Sequence, residues 1–258
     1  MAQLEGKVAI VTGAARGLGA GAAEVLARDG AAVLLTDVLA EQGEATAQRL
    51  RDRGYRAAFR ILDVTDAAAW ESTFDDAAQR FGSVNVVVNN AGINLPKTIE
   101  DLTVEEFRKV IDVNLIGCFL GTQQAIRRMK ESGGGSIINI ASNSTQNVVP
   151  LTAPYSPTKA AVANLSKVAA IHCAVERYNI RVNSVHPGPF ETDMLTGGAA
   201  RATDIPQVRQ LIDAIPLGRM GQPLELGEVV AFLASDASSF MTASELFVDG
   251  GLTVSMMK

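Results

Sequence analysis

Histidine and cysteine are nearly absent from this sequence: among 258 residues there are two of each, His172, His186, Cys118 and Cys173. So few leave no room for a zinc site or a Ser–His–Asp triad, and no metal is expected. The two cysteines have no C-x-x-C spacing and read as buried, reduced thiols, which suits a cytoplasmic protein. No apolar stretch approaches the roughly 18 residues that span a bilayer. The opening Met1-Ala2-Gln3-Leu4-Glu5-Gly6-Lys7 lacks the apolar core of a signal peptide, so none is expected. Net charge is −5 with acids and bases dispersed, and the absence of a basic block argues against a nucleic-acid partner. What the chain does have is apolar residues, 47% of the total, enough to bury a large core within one domain spanning 1–258.

Those apolar residues alternate in character from end to end. Short runs at 8–12, 31–36, 57–62, 84–89, 136–141, 181–186 and 245–248 read as strands. Helical patterns fill the gaps at 17–28, 40–53, 67–81, 104–130, 155–178 and 224–235. Strand–helix alternation with short connections predicts an α/β fold: one Rossmann-type, doubly wound parallel sheet of about seven strands with helices on both faces. Ligands of such sheets lie in a crevice at the carboxyl ends of the strands. One stretch, 189–217, breaks the pattern with Gly197-Gly198, Pro206 and Pro216 and a short amphipathic segment at 208–214. A loop of that length in a compact domain reads as a lid over the site.

The first strand runs into Thr12-Gly13-Ala14-Ala15-Arg16-Gly17-Leu18-Gly19 and then into a stretch of helix formers. Strand, glycine turn and helix form a cradle whose backbone N–H groups and positive helix end suit a pyrophosphate. The second strand ends in Asp37, placed to accept hydrogen bonds from an adenosine ribose. No Gly-Lys-Ser/Thr follows the turn, which excludes a P-loop.

Further on, Tyr155 and Lys159 stand four apart, with Ser142 thirteen residues upstream of the tyrosine. On a helix, such a pair shares one face with Cβ atoms roughly 5–6 Å apart. A phenol beside an ammonium is a route to a base near neutral pH, because the cation favours the phenolate. Pro157 lies between them, and a proline is tolerated only in the first turn of a helix, so the helix is expected to begin at about Tyr155–Ser156. Ser144 and Thr145 stand close to Ser142, and Ser144 is a second candidate for substrate contact.

With Asp63-Val64, Asn89-Asn90-Ala91-Gly92, Asn114 and Pro187-Gly188 with Thr192, these motifs give the chain its resemblance to the short-chain dehydrogenases/reductases, over nearly its whole length. The glycine spacing is that family's Thr-Gly-x-x-x-Gly-x-Gly. The resemblance implies hydride transfer between a nicotinamide cofactor and a secondary alcohol or ketone. Tyr155 would be the general acid/base, and Lys159 would lower its pKa and hold the nicotinamide ribose. Ser142 would bind the substrate oxygen, and Asn114 would position a water that relays protons from Lys159. Gly13, Arg16, Gly17, Leu18 and Gly19 would bind the cofactor, the glycines at its pyrophosphate; Asp63 would contact the adenine with Val64 packing beside the ring, and Asn90, Ala91 and Gly92 would support the central strand and line the cleft. Pro187, Gly188 and Thr192 would also bind the cofactor, with Thr192 on its carboxamide. Asp37 repels a 2′-phosphate and so favours NAD over NADP. Arg16 cuts the other way, without a second cation after Asp37 to complete a phosphate pocket.

Residues expected at the substrate are Ser142, Ser144, Tyr155, Asn94, Leu95, Gln146, Val148, Val149, Phe190, Met194 and Leu195. They are mostly apolar and hold no cation for a carboxylate, which points to a hydrophobic alcohol, cyclic or steroid-like. The alternatives are an NADPH-dependent 3-oxoacyl-thioester reductase and, more remotely, a non-catalytic dinucleotide-binding sensor. Enoyl reductases of this fold space their tyrosine and lysine more widely than here. The family also implies a homotetramer or homodimer, with helices 104–130 and 155–178 pairing between subunits and the apolar run after 246 as a second interface.

Overall fold

A computed structural model describes residues 3–196 and 206–255. Seven strands, β1 (Val8–Thr12), β2 (Ala32–Asp37), β3 (Ala57–Ile61), β4 (Val86–Asn89), β5 (Gly135–Ile140), β6 (Ile180–Pro187) and β7 (Glu245–Val248), form one sheet. Their order is β3-β2-β1-β4-β5-β6-β7, and every neighbouring pair is parallel. The helices are α1 (Gly17–Arg28), α2 (Ala40–Asp52), α3 (Ala67–Phe81), α4 (Val104–Ile111), α5 (Gly117–Met129), α6 (Tyr155–Val175), α7 (Asp193–Thr196), α8 (Pro206–Ala214) and α9 (Pro223–Ala234).

The side-chain period of two explains why both faces are covered. In β1, Ala9 and Val11 point into one core with Val33 and Leu35 of β2, while Val8 and Ile10 point into the other with Ala32 and Leu34. The first core is closed by α1, α2 and α9 through Val25, Leu26, Leu50, Leu226 and Val230. The second is closed by α3, α5 and α6 through Trp70, Phe74, Met129, Ala170 and Cys173. Strands buried on both sides need continuous apolar runs, and that is how they read. The chain order reverses between β1 and β4, so the loops after these two strands part and open the crevice.

The seven strands and their topology agree with the sequence reading. The helix expected over 104–130 does not run unbroken: a π turn at Asp112–Ile116 separates α4 from α5. Within the expected lid, α7 and α8 are helical, and Ile215, Met220 and Leu252 form a small core beneath them. Gly197 and Gly198 of that segment, and Met256 and Met257 of the C-terminal apolar run, lie outside the described residues. Among the described residues no helix is long and apolar enough to cross a membrane.

Candidate active site

The crevice begins where β1 ends. Gly13 and Gly17 have φ of +63° and +59°, a region open to glycine at no steric cost, so the chain turns sharply into α1. A Cβ on Gly19 would stand 2.2 Å from the Gly13 carbonyl oxygen and 2.5 Å from Asn90 Nδ2, so the helix sits directly against the turn. Asn90 fastens that turn from the far side, donating through Nδ2 to the Thr12 and Gly13 carbonyls at 2.8 and 3.1 Å. Thr12 Oγ1 in turn accepts from the N–H groups of Asn90 and Ala91. Asp37 completes the frame: Oδ2 accepts from Ala15 N at 3.0 Å and Oδ1 from Leu39 N at 3.1 Å.

The cradle fits an anionic dinucleotide. Arg16 occupies the N-cap of α1 and makes no side-chain cap, leaving the positive helix end without a side-chain acceptor. Two buried polar atoms, Ser144 Oγ and Asn94 Oδ1, also lack protein partners, both in loops beyond the central strands. Asp63 turns its carboxylate onto Thr65, and Val64 packs against Gly117 at the start of α5. Leu18 is half-buried against the first core. Pro187 ends β6, and Gly188 donates to the Val248 carbonyl with its α-carbon hard against Asp249. Thr192 lies across the glycine turn, 3.5 Å from where a Gly17 Cβ would stand. Arg16 reaches the same segment, its Nη1 2.8 Å from Asp193 Oδ2.

On the other side of the crevice, β5 delivers Ser142. Its hydroxyl accepts from Ser144 N at 3.1 Å, capping a 3-10 turn over Asn143–Thr145, and lies near enough to the Tyr155 phenol to act on its titration. Tyr155 opens α6, so Pro157 falls in the first turn, where its missing N–H has no intrahelical partner to lose. One turn on, Lys159 is 3% exposed, with Nζ 5.5 Å from the centre of the tyrosine ring and donating to the Ile140 carbonyl at 2.8 Å.

Burial pushes the Tyr155 phenol above its ordinary value, and the nearby Ser142 hydroxyl pulls it back. The Lys159 ammonium stands 5.5 Å from the ring centre and donates to the Ile140 carbonyl. Burial also pushes Lys159 itself down from 10.5 to about 8. Between those values the unfolded chain binds more protons at Lys159 than the folded one does, so its contribution to stability improves as pH rises from 8 to 10.5. Urea unfolding of the wild type and Lys159→Met across this range should show the wild type gaining on the variant, on the order of 1–3 kcal/mol. A constant difference would place the ammonium in water.

Asn114 sits in the π turn, and its carboxamide is bonded on every side. Oδ1 accepts from Ile93 N at 2.8 Å, and Nδ2 donates to the Ile93 carbonyl and to Thr158 Oγ1 at 3.0 and 3.1 Å. Both amide hydrogens are therefore spent on tying the loop after β4 to α6. A Cβ on Gly92 would stand 3.2 Å from Asn114 Oδ1 and 3.4 Å from Lys159 Nζ, so Gly92, Asn114 and Lys159 converge.

Of the substrate residues, Val148, Val149 and Met194 are exposed beside the crevice, with Gln146, while Leu95 is half-buried. Phe190 is a correction: it is buried in the first core, with its ring against Gly221, and offers no free lining surface. Leu195 likewise packs on the small core of Ile215, Met220 and Leu252. The sequence reading gave no role to His186, which is buried behind Ser142. Its signal was position alone, directly before Pro187-Gly188.

Comparison with known proteins agrees with this fold. A family model described as enoyl-(acyl carrier protein) reductase matches residues 13–253. An NADP-dependent (R)-specific alcohol dehydrogenase of Lentilactobacillus kefiri is 40% identical, over 97% of this chain and 98% of its own. A 3-alpha-(or 20-beta)-hydroxysteroid dehydrogenase of Mycobacterium tuberculosis is 42% identical, over 96% and 90%. The crystal structure of a short-chain type dehydrogenase/reductase from Mycobacterium marinum superposes with a TM-score of 0.91 at 36% identity, covering 98% of each chain. The chain belongs to the short-chain dehydrogenase/reductase family and is an oxidoreductase.

Proposed function

We propose that the protein interconverts a hydrophobic secondary alcohol, cyclic or steroid-like, and its ketone, using NAD. The observation that carries this reading is the gathering of Ser142, Tyr155 and Lys159 beside a glycine-turn helix whose N-terminus has no side-chain cap. In oxidation, Tyr155 as the phenolate takes the alcohol proton through Oη while Ser142 holds the same oxygen; in reduction the phenol gives that proton back. The nicotinamide, when bound, supplies the hydride acceptor or donor. Lys159 holds the ribose and hands protons outward, past Asn114. Since both amide hydrogens of Asn114 are occupied, a relay water there rests on an oxygen of that residue rather than on its amide group.

Asp37 supports NAD, because its carboxylate stands where a 2′-phosphate would be repelled. The opposing cation, Arg16, is engaged by Asp193, which weakens the case for NADP. The exposed Val148, Val149 and Met194 support an apolar substrate, and the hydroxysteroid relative points to rings. Residues 189–217 would close over it. Val168, Ile171 and Val175 form an exposed apolar stripe on α6, which supports pairing of this helix between copies in a cytoplasmic dimer or tetramer.

Absorbance at 340 nm tests the reading, with NAD⁺ and NADP⁺ offered separately against cyclohexanol, a hydroxysteroid and a 3-hydroxyacyl thioester. Turnover of a cyclic alcohol with NAD⁺ is expected. Turnover confined to NADP⁺ and the thioester would replace this reading with a 3-oxoacyl-thioester reductase, and would mean that Arg16 outweighs Asp37.

A further inference from the structure

We infer that His186 is a positioning residue that fixes the Ser142 turn, and with it the hydroxyl that meets Tyr155. The inference rests on the roles proposed above for Ser142 and Tyr155.

The β5–β6 ladder stops one residue short of Ser142. Ile140 pairs with Val185, and Ala141 N donates to the Val185 carbonyl at 2.8 Å. Beyond that rung the next residue of β6 is His186, and its side chain takes over from the backbone. Nδ1 lies 3.1 Å from the Ser142 carbonyl oxygen and 3.1 Å from Thr145 Oγ1, so one ring nitrogen holds both ends of the 3-10 turn. Nε2 lies 3.0 Å from Ser184 Oγ. The ring is fully buried and rests on Phe247 at a centroid distance of 4.5 Å.

The partners dictate the tautomer. A carbonyl oxygen only accepts, so Nδ1 carries the hydrogen, and Nε2 is left to accept from the Ser184 hydroxyl. Burial holds the imidazole below its ordinary range, against the upward pull of Glu245 and the Ser142 bond, with Lys167 and Lys159 adding to the downward push. The neutral ring therefore points a donor at the Ser142 backbone. With that backbone held, the Ser142 hydroxyl accepts from Ser144 N and keeps its own hydrogen for a partner in the crevice.

The two amide replacements separate positioning from bulk. An asparagine amide reaches the place of Nδ1 and can donate to the Ser142 carbonyl; a glutamine amide reaches the place of Nε2 and cannot. With NAD⁺ and the fastest alcohol of the panel above, His186→Gln is expected to lower kcat about tenfold with the KM for NAD⁺ unchanged. His186→Asn should stay within about threefold of wild type, and His186→Leu should match the glutamine variant. In a Ser142→Ala background the His186→Gln loss should fall below about twofold, because the two residues act through one group.

Equal losses in the asparagine and glutamine variants, or a full tenfold loss retained beside Ser142→Ala, would overturn the inference. So would a Ser142→Ala enzyme that slows while His186→Gln does not. A Ser142→Ala enzyme with undiminished kcat would instead overturn the role of Ser142, and this inference with it.

Discussion

Tyr155→Phe is expected to lower kcat by about 10²–10⁴-fold, the range that a positioned general acid/base contributes. The change removes one oxygen and leaves the ring, so packing at the start of α6 is retained. What is lost is the proposed proton acceptor, next to the Ser142 hydroxyl. Because burial already holds the phenol above its ordinary value, oxidation by the wild type should also accelerate towards alkaline pH, as the phenolate becomes populated. NADH binding, followed by its fluorescence, and the thermal midpoint should both stay close to wild type. A variant that keeps its turnover would remove Tyr155 from the chemistry, and one that loses NADH binding as well would make it a cofactor contact instead.

Gly19→Ala should be the most damaging single methyl group in the crevice. Its Cβ would meet the Gly13 carbonyl oxygen at 2.2 Å, and backbone cannot rotate aside as a side chain can. Gly13 has no room to retreat, since its own Cα hydrogen side faces Ala91 Cα, only 2.8 Å from an ideal Cβ position. Overpacking of this kind costs about 1–3 kcal/mol. In a chain of this size that lowers the thermal midpoint by roughly 2–4 °C per kcal/mol. If the displaced atoms cradle the pyrophosphate as proposed, NADH affinity should fall at least about tenfold, or 1.4 kcal/mol. Gly17→Ala is the informative contrast. Its methyl group would meet only Thr192 at 3.5 Å, an ordinary contact, leaving the strain of a positive φ as its main cost. Equal damage from the two substitutions would mean that strain in the turn, rather than the approach of α1, sets its shape.

The strands and the glycine turn were legible because their signals are local. A doubly buried strand such as β4 reads as Val86-Val87-Val88 whatever surrounds it, and a strand–turn–helix phosphate cradle is contained in a dozen residues. What escaped depends on partners far along the chain. Phe190 follows Pro187-Gly188 in the sequence like any lining residue, yet its ring packs on Gly221. Arg16 reads as a cation beside a phosphate site, and nothing near it in the sequence reports that Asp193 lies opposite. The spacing of Tyr155 and Lys159 gave the pairing of their faces, but not the burial that raises the phenol or the Ile140 carbonyl that draws the ammonium. His186 was counted only as one of two histidines, because nothing nearby in sequence reports that Ser142 lies against its ring.

The π turn between α4 and α5 is, in effect, a spare residue carried inside a helix. A π turn closes its hydrogen bonds five residues apart where an α turn closes them four apart, so loss of a single residue from 112–116 would let the helix heal into regular form. The register on either side would survive, with Val110 still on the inner face before it and Met129 on the inner face after it. The residues between would turn by about 100° around the axis, and whatever stood at the place of Asn114 would swing away from Ile93 and Thr158. A shortened chain could thus keep its shape and its melting behaviour while the loop after β4 came loose from α6. In this helix a one-residue deletion is nearly invisible to the fold and fully visible to the crevice, so length variation here would act on activity first.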